Sequence, residues 1–594
     1  MPNVNVQFLG QTLVIPGSYY ADNVSATLPN SQGSVPPLIF IGYGYGVQPQ
    51  TPMTYVVADD LLAAIRGGPC VDFVQFLTNP STVLNGASFI TYINVGKNTQ
   101  STVTLADANG LPAIDLVSAD YGLPSNLLQA EVSAGAIPGA INLTLYDGYS
   151  GKAATGLDLG VPFQLGYVGT AASGVSFTVA VSGTAFPQFS VASPIPGESV
   201  TVPLGAGGYA KVSDIVQYLN GTGFYVATAY SDPDLPTSAL DNVSNIELPA
   251  PAFSGSTATP TFVSVTAGLG DVVYWINQFG QNFATATMNT DAVANSGDTL
   301  ATLPLLHFSG AASVPPLLAD YAQALTLSLS TPGWVIFCDS NDPGVIALGV
   351  STAVTSAKPG QNTWRRFISG SSLGDSVTEV TTQARAMNAY QATYVYPGVY
   401  RTDALSGQNT LFSGLYAAAA VAGIMSGNVV AQPLTNQSLV GTGVEVLLDL
   451  SDINTLQTAG VMPIRSPSST KLPTIVSDLT TWQADNNPEN VFNQQVGCRF
   501  ALAYSLQQGL QPYVGSIADP FNLTRMKNTA TSILNQLIYS PGNNGILISW
   551  DSASLILTYD GATQAVTVKV NVVFVGQVRF ILELTFVQPL SLTA

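Results

Sequence analysis

Two runs near the C-terminus alternate apolar and polar residues with a period of two. In residues 566–575, Val566, Val568, Val570, Val572 and Phe574 share one face. In residues 578–586, Val578, Phe580, Leu582, Leu584 and Phe586 alternate with Arg579, Ile581, Glu583 and Thr585. That period predicts half-buried strands. Val4, Val6 and Phe8 alternate in the same way with Asn5 and Gln7 until Pro16-Gly17 breaks the run, which predicts a second terminal strand or extended arm. A terminal hydrophobic strand either folds back as a hairpin or is given to a neighbour's sheet. Donation implies self-assembly.

Between these ends the pattern changes twice. Residues 36–41 form a buried-strand candidate that ends in Gly42-Tyr-Gly44-Tyr-Gly46. From Ser101 to Pro260 short strands such as 141–146, 175–181 and 224–230 stand between Gly, Pro and Asn turns, which predicts an antiparallel β domain. The Ser/Thr/Pro-rich stretch 249–261 is a candidate linker back to the main body. Helix and strand then alternate: strand 334–338, helix 345–355, strand 366–369, a helix opened by the capping box Ser376-x-x-Glu379, and strand 391–396. This order predicts a parallel or mixed sheet with helices packed on it. Further helices are expected at 411–425, 451–459, 490–508 and 519–539. The last has Asp519 as N-cap and Pro520 at its first position, with Leu523, Ala530, Leu534, Leu537 and Ile538 as its apolar face and Arg525, Lys527 and Asn528 on its polar side. The small-residue tract Ala417-Ala-Ala-Ala420 permits close backbone packing.

Composition narrows the class. A chain of 594 residues exceeds one core and implies about two to four domains. Only 9% of residues are charged and 46% are hydrophobic, the opposite of a disordered chain. Low charge in a chain of this size implies surface covered by Ser, Thr, Asn and Gln, or surface buried against other subunits. The net charge of −19 divides unevenly, −18 before Lys358 and −1 from Lys358 onward. No basic stripe marks a nucleic-acid binder. The asymmetry fits a solvated acidic domain beside a neutral one, or an acidic outward portion and a neutral inward portion that meets partners. Met1-Pro-Asn-Val lacks the start of a signal peptide, and the apolar helix candidate 411–425 is shorter than a membrane span, so no membrane insertion is expected. Synthesis in a reducing cytosol fits, and Asn23, Asn142 and Asn522 in Asn-x-Ser/Thr triplets are then chance matches.

Catalytic chemistry is not visible. The one histidine, His307, sits among apolar residues, as a structural core histidine would. A second histidine for a metal centre does not exist. Cys70, Cys338 and Cys498 stand far apart, which excludes a disulfide framework but leaves a distant pair open, and Cys338 in its apolar run reads as a buried thiol. The glycines at 42, 44 and 46 are followed by Pro49 and Pro52 rather than a helix, so they lack the context of a phosphate loop. Asp339-Ser-Asn341-Asp342-Pro-Gly lacks the closing Glu of a calcium loop and reads as a turn with a helix cap. Asp59-Asp60 and Asp232-Pro-Asp234 read as solvated turns. No cofactor is expected.

The C-terminal third carries a family resemblance. Gly414-Leu-Tyr-Ala-Ala-Ala-Ala-Val-Ala422-Gly423-Ile-Met followed by Ala431-Gln-Pro433-Leu resembles the segment of contractile tail sheath proteins that carries an "AG" helix before an "AP" turn. Leu450-Ser-Asp-Ile-Asn-Thr-Leu456 with Gly460-Val461-Met-Pro-Ile464-Arg465 is similar to their "LN…GVN.IR" segment, and Pro16-Gly17-Ser-Tyr-Tyr20 to their "PGVY" start. The helix from Ile517-Ala-Asp-Pro520 to Leu537 resembles the one before their last strands. The likeness spans roughly Thr261 to Ala594 and the first 50 or so residues. The chain departs from the pattern at Ser426-Gly427-Asn428, where Arg-Thr-Asp is frequent, and at Met462, where the pattern has Asn. Residues 101–260 have no firm match.

The resemblance implies an α/β (α+β) core with a mixed sheet flanked by helices, an inserted antiparallel β domain, and extended N- and C-terminal β arms. The expected organisation is an arm at 1–22, the first part of the core at 23–100, the insertion at 101–260, the sheath core at 261–560 and terminal strands and arm at 561–594. It implies a non-enzymatic virion protein, assembled in the host cytoplasm into a helical homo-oligomer of stacked rings around an inner tail tube. Baseplate and tail terminator proteins are the other implied partners, without direct contact to nucleic acid. The arms at Val4, Val6, Phe8 and at Val578, Phe580, Leu582, Leu584, Phe586 would join subunits, and Arg525, Lys527 and Asn528 would face the tube. Composition alone also fits a surface-layer or adhesin-like assembly. An enzyme with a divergent carboxylate site would need a carboxylate pair, and none stands out.

Overall fold

A computed structural model describes residues 6–8, 11–13 and 37–577, apart from short internal stretches of which 290–298 is the longest. The chain divides into two compact units, one of residues 1–44, 49–96 and 315–594, the other of 45–48 and 97–314.

The first unit is built on an eight-stranded sheet in the order Thr474–Ile475, Val461–Arg465, Ala392–Tyr396, Arg366–Gly370, Val335–Cys338, Leu38–Gly42, Ile90–Asn94, Met53–Tyr55. The six inner strands run parallel and the two outer ones antiparallel to their neighbours. Every residue of Leu38–Gly42, Val335–Cys338, Arg366–Gly370 and Ala392–Tyr396 is buried, which is why these strands read as continuous apolar runs rather than alternations. Both faces are covered. Phe40 and Phe337 meet Phe73 of helix Val71–Thr78 on one side, while Phe367 lies against Gly349 of helix Pro343–Ser356 on the other. Helix Gly414–Gly427 is the centre of the first face, with thirteen of its fourteen residues buried. Its Tyr416 ring stacks on Phe73 at 3.9 Å. The small residues do bring backbones together, at glycines further along than the alanine tract: a Cβ on Gly423 would strike the backbone of Leu77, and one on Gly427 the backbone of Gly86.

Caps set the helix starts as the sequence predicts. The Asp342 carboxylate accepts from the backbone N–H of Gly344 at 2.7 Å and of Val345 at 3.3 Å. Ser376 and Glu379 exchange their capping-box bonds, and Asp519 accepts from Asn522 N–H at 2.7 Å.

Charge is distributed differently from either sequence reading. Four of the arginines that make the C-terminal part neutral, Arg365, Arg366, Arg401 and Arg499, are buried. Arg365 donates to the carbonyls of Leu329 (3.2 Å), Thr331 (2.6 Å) and Gly333, just beyond helix Leu318–Ser328. Arg366 donates to the Asn493 carbonyl at 3.2 Å and feels the buried Asp478 carboxylate. Arg401 lies 4.5 Å over the Phe76 ring, and Arg499 lies 4.3 Å over Tyr390 while donating to Asn490 Oδ1. These cations serve the core, where stray carbonyls and aromatic faces replace water as partners. They add nothing to a surface for partners.

The second unit is antiparallel throughout its sheets, as its turn-punctuated sequence predicts. It extends beyond the expected 101–260. Strand Phe262–Val265 pairs with Phe163–Tyr167, and helix Gly268–Phe279 buries Leu269, Val272, Trp275 and Ile276 in the same core as Leu143 and Leu145. The stretch read as a linker holds a small hairpin, Ala252–Ser254 with Thr257–Thr259. His307 is exposed at the end of strand Leu303–His307, which corrects its reading as a core residue.

Candidate assembly surfaces

The loops weighed for chemistry in the sequence are occupied structurally. A Cβ on Gly44 would lie 2.7 Å from Tyr92 Oη and 2.8 Å from Cys70 Sγ, so this glycine marks tight packing rather than a phosphate cradle. The Asp339 carboxylate accepts from Tyr43 N–H at 2.6 Å and from Tyr321 Oη at 2.7 Å, and burial holds its carboxyl up at about 6. Cys70, Cys338 and Cys498 are free and buried, and burial pushes the Cys498 thiol up to about 12, far from the ionised form that reacts. Among the described residues no group of three or more His, Cys, Asp or Glu is placed to hold a metal, and no helix is long and apolar enough to cross a membrane.

Open strand edges lie at the C-terminal end of the first unit. Strand Leu547–Asp560 pairs antiparallel with Ala565–Phe574, from Leu547 opposite Phe574 to Asp560 opposite Ala565. Asp560 closes the turn, accepting from Thr563 Oγ1 at 2.7 Å and Ala562 N–H at 3.0 Å. These bonds hold its carboxyl below the usual range. The alternation predicted for the second strand is realised: Val568, Val570, Val572 and Phe574 turn inward, while Thr567, Lys569 and Asn571 are exposed. Leu555, Leu557 and Trp550 join the inward face and pack on Ala530, Leu534 and Leu537 of the neighbouring helical segment.

Residues 565–574 thus pair with the strand that precedes them, which spans 547–560. The register shifts between Asp551 and Ile556, and that bulge hides the strand's continuation from a period-two search. Apart from a bridge between Ile538 and Leu547, neither strand has a second partner among the described residues, so both outer edges present unpaired backbone groups. A lone two-stranded sheet is marginal in water and here depends on its packed face.

The arm residues Val578, Phe580, Leu582, Leu584 and Phe586 lie outside the described residues, as does Val4. Val6–Phe8 is a strand paired antiparallel with Gln11–Leu13 of its own chain, a local hairpin. Helix Pro520–Gln536 holds Arg525, Lys527 and Asn528, all exposed; Arg525 sits 5.7 Å over the ring of Phe521. Asn528, Thr531, Ser532, Asn535 and Gln536 form an open, uncharged face along the same helix. Sequence reasoning named the helix but not this face, which follows from its Asn/Ser/Thr/Gln spacing.

No protein-family model matches the chain. The tail sheath protein of Bacillus phage SP01 is 24% identical over 493 residues, covering 81% of this chain and 80% of that protein. A putative tail sheath protein of Enterococcus phage phiEF24C is 21% identical over 548 residues, covering 89% and 91%. The crystal structure of a sheath tail protein from Listeria innocua superposes with a TM-score of 0.57 at 10% identity, covering 92% of this chain and 94% of that one, a likeness of fold. By sequence and by fold the chain resembles the tail sheath proteins of phages, which are structural proteins and not enzymes.

Proposed function

We propose that this chain is the structural subunit of a contractile tail sheath. It polymerises helically around an inner tail tube and contracts to drive that tube through the host envelope. The observation that carries the reading is the hairpin Leu547–Asp560/Ala565–Phe574, whose two open edges offer backbone hydrogen bonds to incoming strands. Strand addition supplies affinity through the backbone and register through alternate side chains. The terminal segments with Val4, Val6 and Phe8, and with Val578, Phe580, Leu582, Leu584 and Phe586, have the alternation such a donor needs. Head-to-tail contacts that do not close generate a helix. Contraction moves subunits as rigid bodies between two packings while the donated strands keep them joined.

We assign the exposed Arg525, Lys527 and Asn528 of helix Pro520–Gln536 to the tube contact. The uncharged face beside them suits a contact that must slide. Baseplate and tail terminator proteins complete the partners, and the virion tail is the site of action.

The test is removal of residues 578–594. The truncated chain is expected to remain a folded monomer that forms no hollow striated tubes in negative-stain electron microscopy, while the full chain forms them. Tubes from the truncated chain would refute strand donation. Flat two-dimensional arrays from the full chain would favour a surface layer instead.

A further inference from the structure

We propose that Leu373, Val446, Leu447 and Leu450 of the first unit form a docking face for a cationic, apolar segment of a partner protein. Val446-Leu447-Leu448-Asp449-Leu450 leads from strand Gly443–Val444 into helix Leu450–Thr458 and is apolar at four of its five positions. Such a run is ordinarily core. Here Leu447 is 74% exposed and Leu450 80%, while Ile453 and Leu456 of the same helix are buried. Leu373, 52% exposed, comes from the loop after strand Arg366–Gly370. The Glu445 carboxylate ties that loop to the run: it accepts from Gly374 N–H at 2.6 Å and from Gly398 N–H at 3.1 Å. Leucines gathered from two tethered loops and left in water mark a contact surface.

Charge decides the chemistry of the occupant. Asp375, Glu379, Glu445, Asp449 and Asp452 edge the face, on the same two segments as the leucines. Local hydrogen bonds hold them there. Ser372 N–H donates to Asp375 at 2.7 Å, Ser376 N–H to Glu379 at 2.8 Å, and Asp452 N–H to Asp449 at 2.7 Å. Among the described residues none of these carboxylates is paired with a Lys or Arg, and residues 371–384 and 402–464 contain neither. The occupant must bring apolar side chains to the leucines and positive charge to their edge. A second copy of the chain arrives with a net charge of −19 and is repelled. A segment in which Lys or Arg flanks Leu, Ile or aromatic side chains meets both demands. The loops are already set by their own hydrogen bonds, so docking loses little freedom on this side.

The test is hydrogen exchange of the full chain with two synthetic amphipathic helices, one of leucine and lysine, the other with glutamate for every lysine. The lysine peptide is expected to protect residues 372–376 and 445–452 saturably, and the glutamate peptide to leave them unchanged. Leu447→Ser with Leu450→Ser, both at exposed positions, should weaken the lysine peptide by about tenfold or more. Asp449→Asn keeps a helix-capping side chain while removing a charge, and it should weaken binding more in dilute buffer than at high salt. Circular dichroism verifies each variant as folded. Protection that is absent, spread over other acidic surface, or equal for both peptides would overturn the proposal. So would protection of these segments that grows with the chain's own concentration when no peptide is present, since the occupant would then be a second copy.

Discussion

Substituting Gly423 by alanine separates two physical expectations of opposite sign. Gly423 lies inside helix Gly414–Gly427, where alanine is the better helix former by about 1 kcal/mol, so propensity alone predicts stabilisation. The structure predicts the reverse. An alanine Cβ would strike the Leu77 carbonyl oxygen and lie 2.8 Å from its carbonyl carbon and 3.0 Å from its Cα. None of these atoms is the free end of a flexible side chain. The helix cannot back away, since its other faces are buried against the sheet. Overpacking of a filled core costs about 1–3 kcal/mol, and contact with backbone puts this site at the upper end, so a net loss of about 2 kcal/mol remains after the propensity gain of about 1 kcal/mol. With two compact units the chain can unfold in more than one step, so the measurement is hydrogen exchange of residues 414–427, with urea denaturation of the dilute monomer beside it. Gly221→Ala is the control, at a helix end where a Cβ meets nothing within 4 Å. Unchanged or increased protection in Gly423→Ala would refute the close approach of these two helices.

Other perturbations probe separate links. Arg365→Met leaves the carbonyls of Leu329, Thr331 and Gly333 without their shared donor and should destabilise by about 3 kcal/mol or more, read by urea denaturation. Asp241 is buried, and burial raises its carboxyl from the usual carboxylate range to about 6. The folded state then binds the proton more tightly than the unfolded one. The charged form costs stability above about pH 6, and that cost is relieved as pH falls from 6 toward 4. The unfolding temperature should therefore rise less between pH 7 and pH 5 in Asp241→Asn than in the unaltered chain. Ser376→Ala removes the N-cap acceptor of helix Val377–Met387 and should cost about 1 kcal/mol, seen as faster exchange in its first turn.

Local chemistry explains which elements could be read in advance. The strands at 335–338, 366–370 and 392–396 announce themselves as short apolar runs because helices cover both their faces. Ser376 and Glu379, Asp342, and Asp519 mark helix starts because a cap is settled within four residues. Long-range pairing leaves no such mark. Nothing local in 262–265 tells that it pairs with 163–167, so the boundary of the second unit moved from 260 to 314. A bulge concealed the strand after Asp551. Counting arginines could not reveal that Arg365, Arg366, Arg401 and Arg499 are interior. The candidate edges were half legible: alternation at 566–574 showed a face, while the unpaired edges appeared only with the fold.

The interior charges bear on how two copies meet. The chain has a net charge of −19, and among the described residues burial withdraws Asp107, Asp147, Glu198, Asp241, Asp271 and Asp478 along with the four arginines, so the outer surface stays strongly anionic. Like-charged bodies repel over a distance set by dissolved ions, about 30 Å at 0.01 M salt but about 8 Å at 0.15 M. Backbone hydrogen bonds along an open edge act only within about 3 Å. Under the proposed strand donation, ionic strength therefore acts as a throttle on encounter: dilute buffer keeps copies apart before any strand can dock, and physiological salt lets them come within reach.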